Sequence, residues 1–232
     1  MSVSTLFFGS IGVIAETSDI QRQAYNEAME EARLPWRWDR ETYAALLEMS
    51  GGKDRLRLLR DATGADLSDD VIDLIHKRKT SLACARLRHE GVPLRDGVRD
   101  LIDLALARGV QIGWVTSTYK ENIDAIIDAA REDFSTNLFR VIVTREDLSA
   151  GKPDPEAYIR AMREIGARPD QTIAIEDTTL SVLAAKRAKI RTILTPGDLT
   201  RGQDRHDADF AFQSLIGDDG RLHGAIRDLF EI

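Results

Sequence analysis

Five short runs rich in Val, Ile and Phe constrain the fold of this chain most: residues 5–8, 111–115, 141–143, 172–175 and 191–194. Helix-like stretches at 120–131, 154–165 and 179–188 separate the last four, so the order is strand, helix, strand. Such alternation predicts a parallel sheet covered by helices. The interval after the first run breaks the pattern. Residues 17–91 contain no convincing strand, only amphipathic segments at 20–32, 40–48, 53–63 and 68–89. Four helices inserted between the first two strands suffice for a small bundle. The turn residues PLRDG, 93–97, mark the return to the main body. The expected organisation is an α/β Rossmann-like core from 1–15 and 92–232, with a helical cap domain from 16–91.

A chain of 232 residues can bury a sizeable core without covalent staples. The lone cysteine, Cys84, has no Cys or His at zinc-site spacing and reads as a buried thiol. Thirty-two basic residues stand against 39 acidic ones, and the net charge of −7 is not relieved by any basic stripe, which argues against nucleic acid or an anionic membrane as partner. No apolar run approaches the roughly 20 residues of a membrane span. The apolar segment 3–15 has no basic residue before it, the first being Arg22, so a secretion signal is not expected and a cytoplasmic location is.

Ligands of open parallel sheets bind beyond the carboxyl ends of the strands. That rule selects GSIG (9–12), TSTYKEN (116–122), GKPDP (151–155) and EDTT (176–179). Thr116, Ser117 and Thr118 offer hydroxyls and amides before a helix start, which suits an anion; an ordinary helix cap is the plainer reading. Lys152 sits on a Pro-rich turn where it could hold phosphate, or could simply be a solvated surface lysine. Glu176 and Asp177 directly follow a strand and could bind a hard cation, with Asp177 as a helix cap the alternative.

These four stretches, in this order and with an insert after the first, resemble the haloacid dehalogenase superfamily of phosphatases and phosphomutases. The likeness is closest to its CbbY-like, β-phosphoglucomutase-like branch of sugar-phosphate phosphatases. It rests on AET (15–17), AYNEAM (24–29), WRWDRETYAALL (36–47), SGGKDR (50–55), IHKRKT (75–80), GKPDPEAY (151–158), IEDT (175–178) and PGDLTR (196–201). The resemblance implies a first-strand Asp that attacks phosphorus and a second Asp, two residues on, as general acid and base. Mg²⁺ would bridge nucleophile, phosphate and the carboxylates after the fourth strand. It also implies that Glu16 and a loop bearing Gly51, Gly52, Lys53 and Arg55 close over the substrate, Arg55 gripping a second phosphate. Exposed charges at a helix start are the equal alternative for Lys53 and Arg55. Close relatives would act on xylulose 1,5-bisphosphate.

Against that pattern the nucleophile position is Gly9 and the acid/base position Ile11, neither of which can do the chemistry. Gln21 stands where relatives commonly carry His, Ser181 where Gly is usual, and Lys189 where the helix usually ends in Gly. Ser10 should point away from the pocket if side chains alternate along the strand. With its main carboxylate gone, Mg²⁺ is expected to bind weakly or not at all through Glu176 and Asp177. The expected function is a catalytically impaired phosphatase homologue that keeps a phosphate or phosphosugar pocket around Thr116, Ser117 and Lys152. The alternatives are a Mg²⁺-dependent sugar-phosphate phosphohydrolase with residual activity, through Ser10 or an activated water, and a regulatory partner of an active homologue.

Overall fold

The computed structural model describes residues 3–49, 51–130, 134–205 and 207–230. The expected helix end at Arg131 and Ser50 of the SGGKDR stretch lie outside them.

Strands β1 (Thr5–Phe8), β2 (Gln111–Val115), β3 (Val141–Val143), β4 (Thr172–Glu176), β5 (Arg191–Leu194) and β6 (Phe210–Ala211) form one sheet in the order β3-β2-β1-β4-β5-β6. Every pairing is parallel, and Thr5 stands opposite both Gln111 and Thr172. β1 is therefore central, and all four of its residues are buried. Alternation divides them between the two faces. Leu6 and Phe8 join one core with Val98, Leu101, Ile123 and Ile126, whereas Phe7 joins a second with Tyr158, Ala161, Ala184 and Ala185. The first core thus covers one face with helices α5 (Val98–Ala107) and α6 (Lys120–Ala130), and the second covers the other with α7 (Glu156–Ile165) and α8 (Thr179–Arg187). A sheet covered on both faces explains why its strands read as continuous apolar runs.

Four helices lie between β1 and α5: α1 (Ser18–Glu31), α2 (Arg40–Leu46), α3 (Gly52–Thr63) and α4 (Asp69–Glu90). They share a core of Tyr25, Met29, Trp38, Tyr43, Leu56, Ile72 and Ile75. Asn26 fixes the chain entering α2: its amide nitrogen donates to the Trp38 carbonyl at 2.9 Å, and its oxygen accepts from the Trp38 amide at 2.8 Å. Asp39 then caps α2 by accepting from the Thr42 amide at 2.7 Å, an arrangement worth about 1 kcal/mol. The far end of α4 leaves this bundle, since Cys84 and Leu87 pack into the sheet's core beside α6. A short helix α9 (Gly224–Asp228) closes the described fold. Among the described residues, no helix is long and apolar enough to cross a membrane.

Candidate functional site

The carboxyl ends of β1, β2 and β4 open on a cavity of about 420 Å³, bounded on its other side by the helical insert. The core contributes Ser10, Ile11, Thr116, Ser117, Lys152, Glu176 and Asp177; the insert contributes Gly51, Gly52, Lys53 and Arg55. Most residues singled out from sequence are thus brought to one place. Glu16 is not: its carboxylate accepts from the amides of Ser18 at 2.9 Å and Asp198 at 2.6 Å, tying the start of α1 to the loop after β5. Arg95 braces the same region by donating to the carbonyls of Gly12, Thr195 and Pro196.

Lys152 is not a solvated lysine but is 94% buried, and its charge is already matched. Its Nζ lies 2.5 Å from Glu176 Oε1, 3.3 Å from the Tyr158 hydroxyl and 3.4 Å from the Val115 carbonyl. The Tyr158 hydroxyl donates to the same Glu176 oxygen. Burial and the Glu176 charge push the Tyr158 hydroxyl well above its ordinary pKa, so it remains a donor. The second oxygen of Glu176 explains why the carboxylate reaches this position. A Cβ placed on Gly9 would stand only 2.7 Å from Glu176 Oε2. The acid therefore occupies room that a side chain at residue 9 would need. Glu176 itself is the last residue of β4 rather than the first after it.

One further expectation is corrected. Asp177 does not cap α8; Thr178 does, its side chain accepting from the Ser181 amide at 3.2 Å. Asp177 stays buried, and desolvation, with Glu176 and Glu16 adding negative charge, raises its pKa well above the usual carboxylate range. Ser10 lies beyond the end of β1, so strand alternation does not set its direction, and its hydroxyl is buried. The Ser10 carbonyl accepts from the amides of Val13 and Ile14, so residues 10–14 form a turn, and Ser10 lines the cavity. Its hydroxyl has no hydrogen-bond partner among the described residues.

For a hard divalent cation the donor set is poor. Position 9 has no carboxylate and Glu176 is committed to Lys152 and Tyr158, which leaves Asp177 as the one remaining acid of the expected pair. Among the described residues no group of three His, Cys, Asp or Glu side chains could hold a metal. A cation that demands near-octahedral oxygen ligands does not fit this arrangement.

On the insert side, Lys53 pairs with Asp73 at 2.8 Å. Arg55 donates through Nε to the Leu46 carbonyl at 2.9 Å and through Nη2 to the Met49 carbonyl at 3.0 Å, with its guanidinium over the Tyr43 ring. Tyr25, His76 and Lys79 are among the residues of this wall that sequence reasoning missed. Lys79 lies on the buried stripe of α4 with Ile72, Ile75, His76 and Ala83, at spacings of three and four. A lysine in an apolar helical stripe was the available signal. Burial and neighbouring cations hold His76 down to about 3 and Lys79 down to about 7.

The family model for haloacid dehalogenase-like hydrolases matches residues 12–195. The chain is 35% identical to protein CbbY of Rhodobacter capsulatus, over 93% of this chain and 95% of that protein. Identity to protein CbbY of Cereibacter sphaeroides is 34%, over 92% and 93%. Among solved structures, a CbbY variant from Rhodobacter sphaeroides in complex with xylulose-(1,5)-bisphosphate superposes with a TM-score of 0.84 at 33% identity, covering 95% of this chain and all of that one. A β-phosphoglucomutase from Clostridium difficile gives 0.79 at 15% identity, a likeness of fold alone. The sheet, the strand-end cavity and these matches define the class: the chain belongs to the haloacid dehalogenase-like hydrolase family, whose phosphatases generally use Mg²⁺. Within that family it is a member of the CbbY-like phosphatase group.

Proposed function

We propose that this chain is a catalytically impaired CbbY-like phosphatase homologue that binds a phosphorylated sugar in the strand-end cavity without hydrolysing it. The observation that carries this reading is the exchange at the end of β1. Gly9 and Ile11 stand where the family pattern expects the nucleophile and the acid/base, and the Glu176 carboxylate fills the room beside Gly9. No phosphoenzyme can form on a glycine, and no proton can be relayed by an isoleucine. The helical insert acts as the cap over the cavity, with Gly51, Gly52, Lys53 and Arg55 on its inner wall. Thr116 and Ser117 supply the core's polar wall, and Mg²⁺ binds weakly or not at all for want of carboxylates. Ser10 is a poor substitute nucleophile, because activation needs a hydrogen-bonded base and its hydroxyl has no partner among the described residues.

The test is phosphate release from sugar phosphates and bisphosphates with Mg²⁺, comparing the wild type with a Gly9→Asp/Ile11→Asp double variant. A new Asp at 9 would displace Glu176 and become the partner of Lys152. The wild type is expected at background and the double variant at least ~10³-fold above it, in keeping with what a positioned acid/base alone supplies. Wild-type turnover abolished by Ser10→Ala would overturn the reading.

A further inference from the structure

The chain passes between the core and the helical insert twice, before α1 and after α4, and the loop after β5 adds a third link that is not covalent. We propose that this loop, residues 196–204, is a strap that works with the far end of α4 to pin the insert over the cavity, so that the insert does not swing open as a hinged lid. The strap goes beyond the phosphosugar reading and does not depend on it, since every contact in it is made by the protein alone.

Leu199 belongs to the core domain by sequence, yet it is buried in the insert's own hydrophobic cluster with Trp38, Tyr43 and Leu56. Withdrawing it would return apolar surface to water, which is unfavourable in proportion to the area exposed. Beside it, Glu16 spans the joint. Its carboxylate accepts from the Ser18 amide at the start of α1 and from the Asp198 amide of the loop. Gly197 packs so closely on this joint that a Cβ there would stand 2.5 Å from Glu16 Oε2 and 3.1 Å from Gly12 Cα. The loop is itself braced: the Gly197 amide donates to Thr200 Oγ1 at 2.8 Å, and the Thr200 amide donates to the Gly197 carbonyl at 3.1 Å. Its far end reaches the start of α8. There Gln203 Oε1 accepts from the Thr179 amide at 3.1 Å, and the Thr179 hydroxyl donates to the Asp204 carbonyl at 2.7 Å. One loop thus joins the insert's core, the entry to α1 and the helix start next to Asp177.

The opposite attachment is α4, whose 22 residues make one unbroken helix about 33 Å long. Ile72 and Ile75 in its first half belong to the insert's cluster, whereas Cys84 and Leu87 in its second half belong to the core of the sheet. Arg88 adds an ion pair with Asp128 of α6 at 2.9 Å. Helix α6 follows β2 and the strap follows β5, and in the sheet order these strands lie on opposite sides of β1, whose end opens on the cavity. The insert is therefore held on both flanks of that opening. A domain fastened along one edge can swing about it, but one fastened along two can swing about neither without breaking the other. Between the two flanks, Gln21 Nε2 of α1 donates to Asn122 Oδ1 of α6 at 3.2 Å, and both side chains are buried. Rotation about α4 would have to break this bond, part Glu16 from Asp198 and withdraw Leu199 in one step.

Double electron–electron resonance tests the strap, with spin labels on cysteines introduced at exposed Ala62 of α3 and Arg163 of α7 and the buried Cys84 left in place. With no other substitution, the labelled protein should give a single distance peak no wider than about 2 Å, the scale that separates a preorganised arrangement from a rearranging one. Leu199→Ala and Glu16→Ala should each add a population at longer distance, largest in the double variant. Two controls should keep the single peak: Leu199→Met, which conserves side-chain volume, and Leu67→Ala, which removes a leucine from the same insert cluster without touching the loop. Because Leu67→Ala loosens the cluster as Leu199→Ala does, a longer population seen in both would mean a softened insert and would overturn the strap. So would a broad or two-peaked distribution without either strap substitution, or a single peak that survives in the double variant. Circular dichroism of each labelled protein confirms that the distances come from folded molecules. The readout uses no ligand, so a lack of phosphosugar binding would count against the proposed function and leave the strap to be judged on these distances.

Discussion

Lys152 and Lys79 are both buried in the wall of one cavity, but the fold treats them in opposite ways. Lys152 sits at the sheet end with a carboxylate at 2.5 Å and a tyrosine sharing that carboxylate. Lys79 sits at the insert end with an aromatic ring, a neighbouring arginine and, among the described residues, no carboxylate paired with it. The difference originates in residue 9. Without a side chain there, Glu176 can lean across the end of β1 and neutralise the lysine beyond it. Nothing comparable happened on the insert side, so that end still carries uncompensated charge. In the reading proposed above, the glycine at position 9 leaves Glu176 as the partner of Lys152, so the uncompensated charge of the cavity lies at the insert end.

The largest test of this contrast removes the acid. Glu176→Ala leaves Lys152 buried without a partner, and unfolding in urea should show a loss of about 3–5 kcal/mol. Millimolar phosphate should restore part of it by standing in for the carboxylate. A loss below about 1 kcal/mol would mean that the pair is not what neutralises Lys152, and the contrast between the two ends would fail.

The second test removes the unpaired lysine. An ammonium whose folded pKa is depressed to about 7, from an ordinary value near 10.4, costs stability wherever it must remain charged. For a depressed group the stability is fully present above the unfolded pKa and is lost as pH falls toward the folded one. Lys79→Met should therefore be more stable than the wild type by about 2–4 kcal/mol at pH 7, the gain shrinking as pH approaches 10. Urea unfolding of both proteins across that range reads the convergence directly. A pH-independent difference would place its origin in packing instead of charge. If the gain appears together with lost phosphate binding, stability was given up here for a ligand.

Much of this frame is legible in the sequence, because it follows from repeated local signals. The five apolar runs become β1 to β5, and the four amphipathic segments become α1 to α4 within a residue or two. The sixth strand has only Phe210 and Ala211, too short for any period to register. Helix α5 follows the PLRDG turn, which identifies the return to the core but not the element that begins there. At the site, strand ends give the residues but not their orientation. That Ser10 belongs to the cavity depends on β1 stopping at Phe8, and that Glu176 serves Lys152 depends on empty space beside Gly9. Lys79 was hidden for a different reason: it is a charged residue on a buried helical face, and only the packed bundle shows that it has no ion pair among the described residues.

A third lysine supplies the smallest effect and a control for the other two. Lys189 follows α8 with φ +62°, the left-handed region that favours glycine. The resemblance to the family led to the expectation of a glycine at this position, and the backbone gives the physical reason. Lys189→Gly should raise stability by about 0.5–1 kcal/mol, the relief of a side chain held in a disfavoured conformation offsetting the greater freedom of the unfolded chain. Because that gain arises in the backbone, it should be the same at pH 7 and pH 10, measured by urea unfolding alongside Lys79→Met. Parallel behaviour of the two variants across pH would remove the electrostatic distinction drawn for Lys79; divergence at pH 7 and convergence at pH 10 would isolate it.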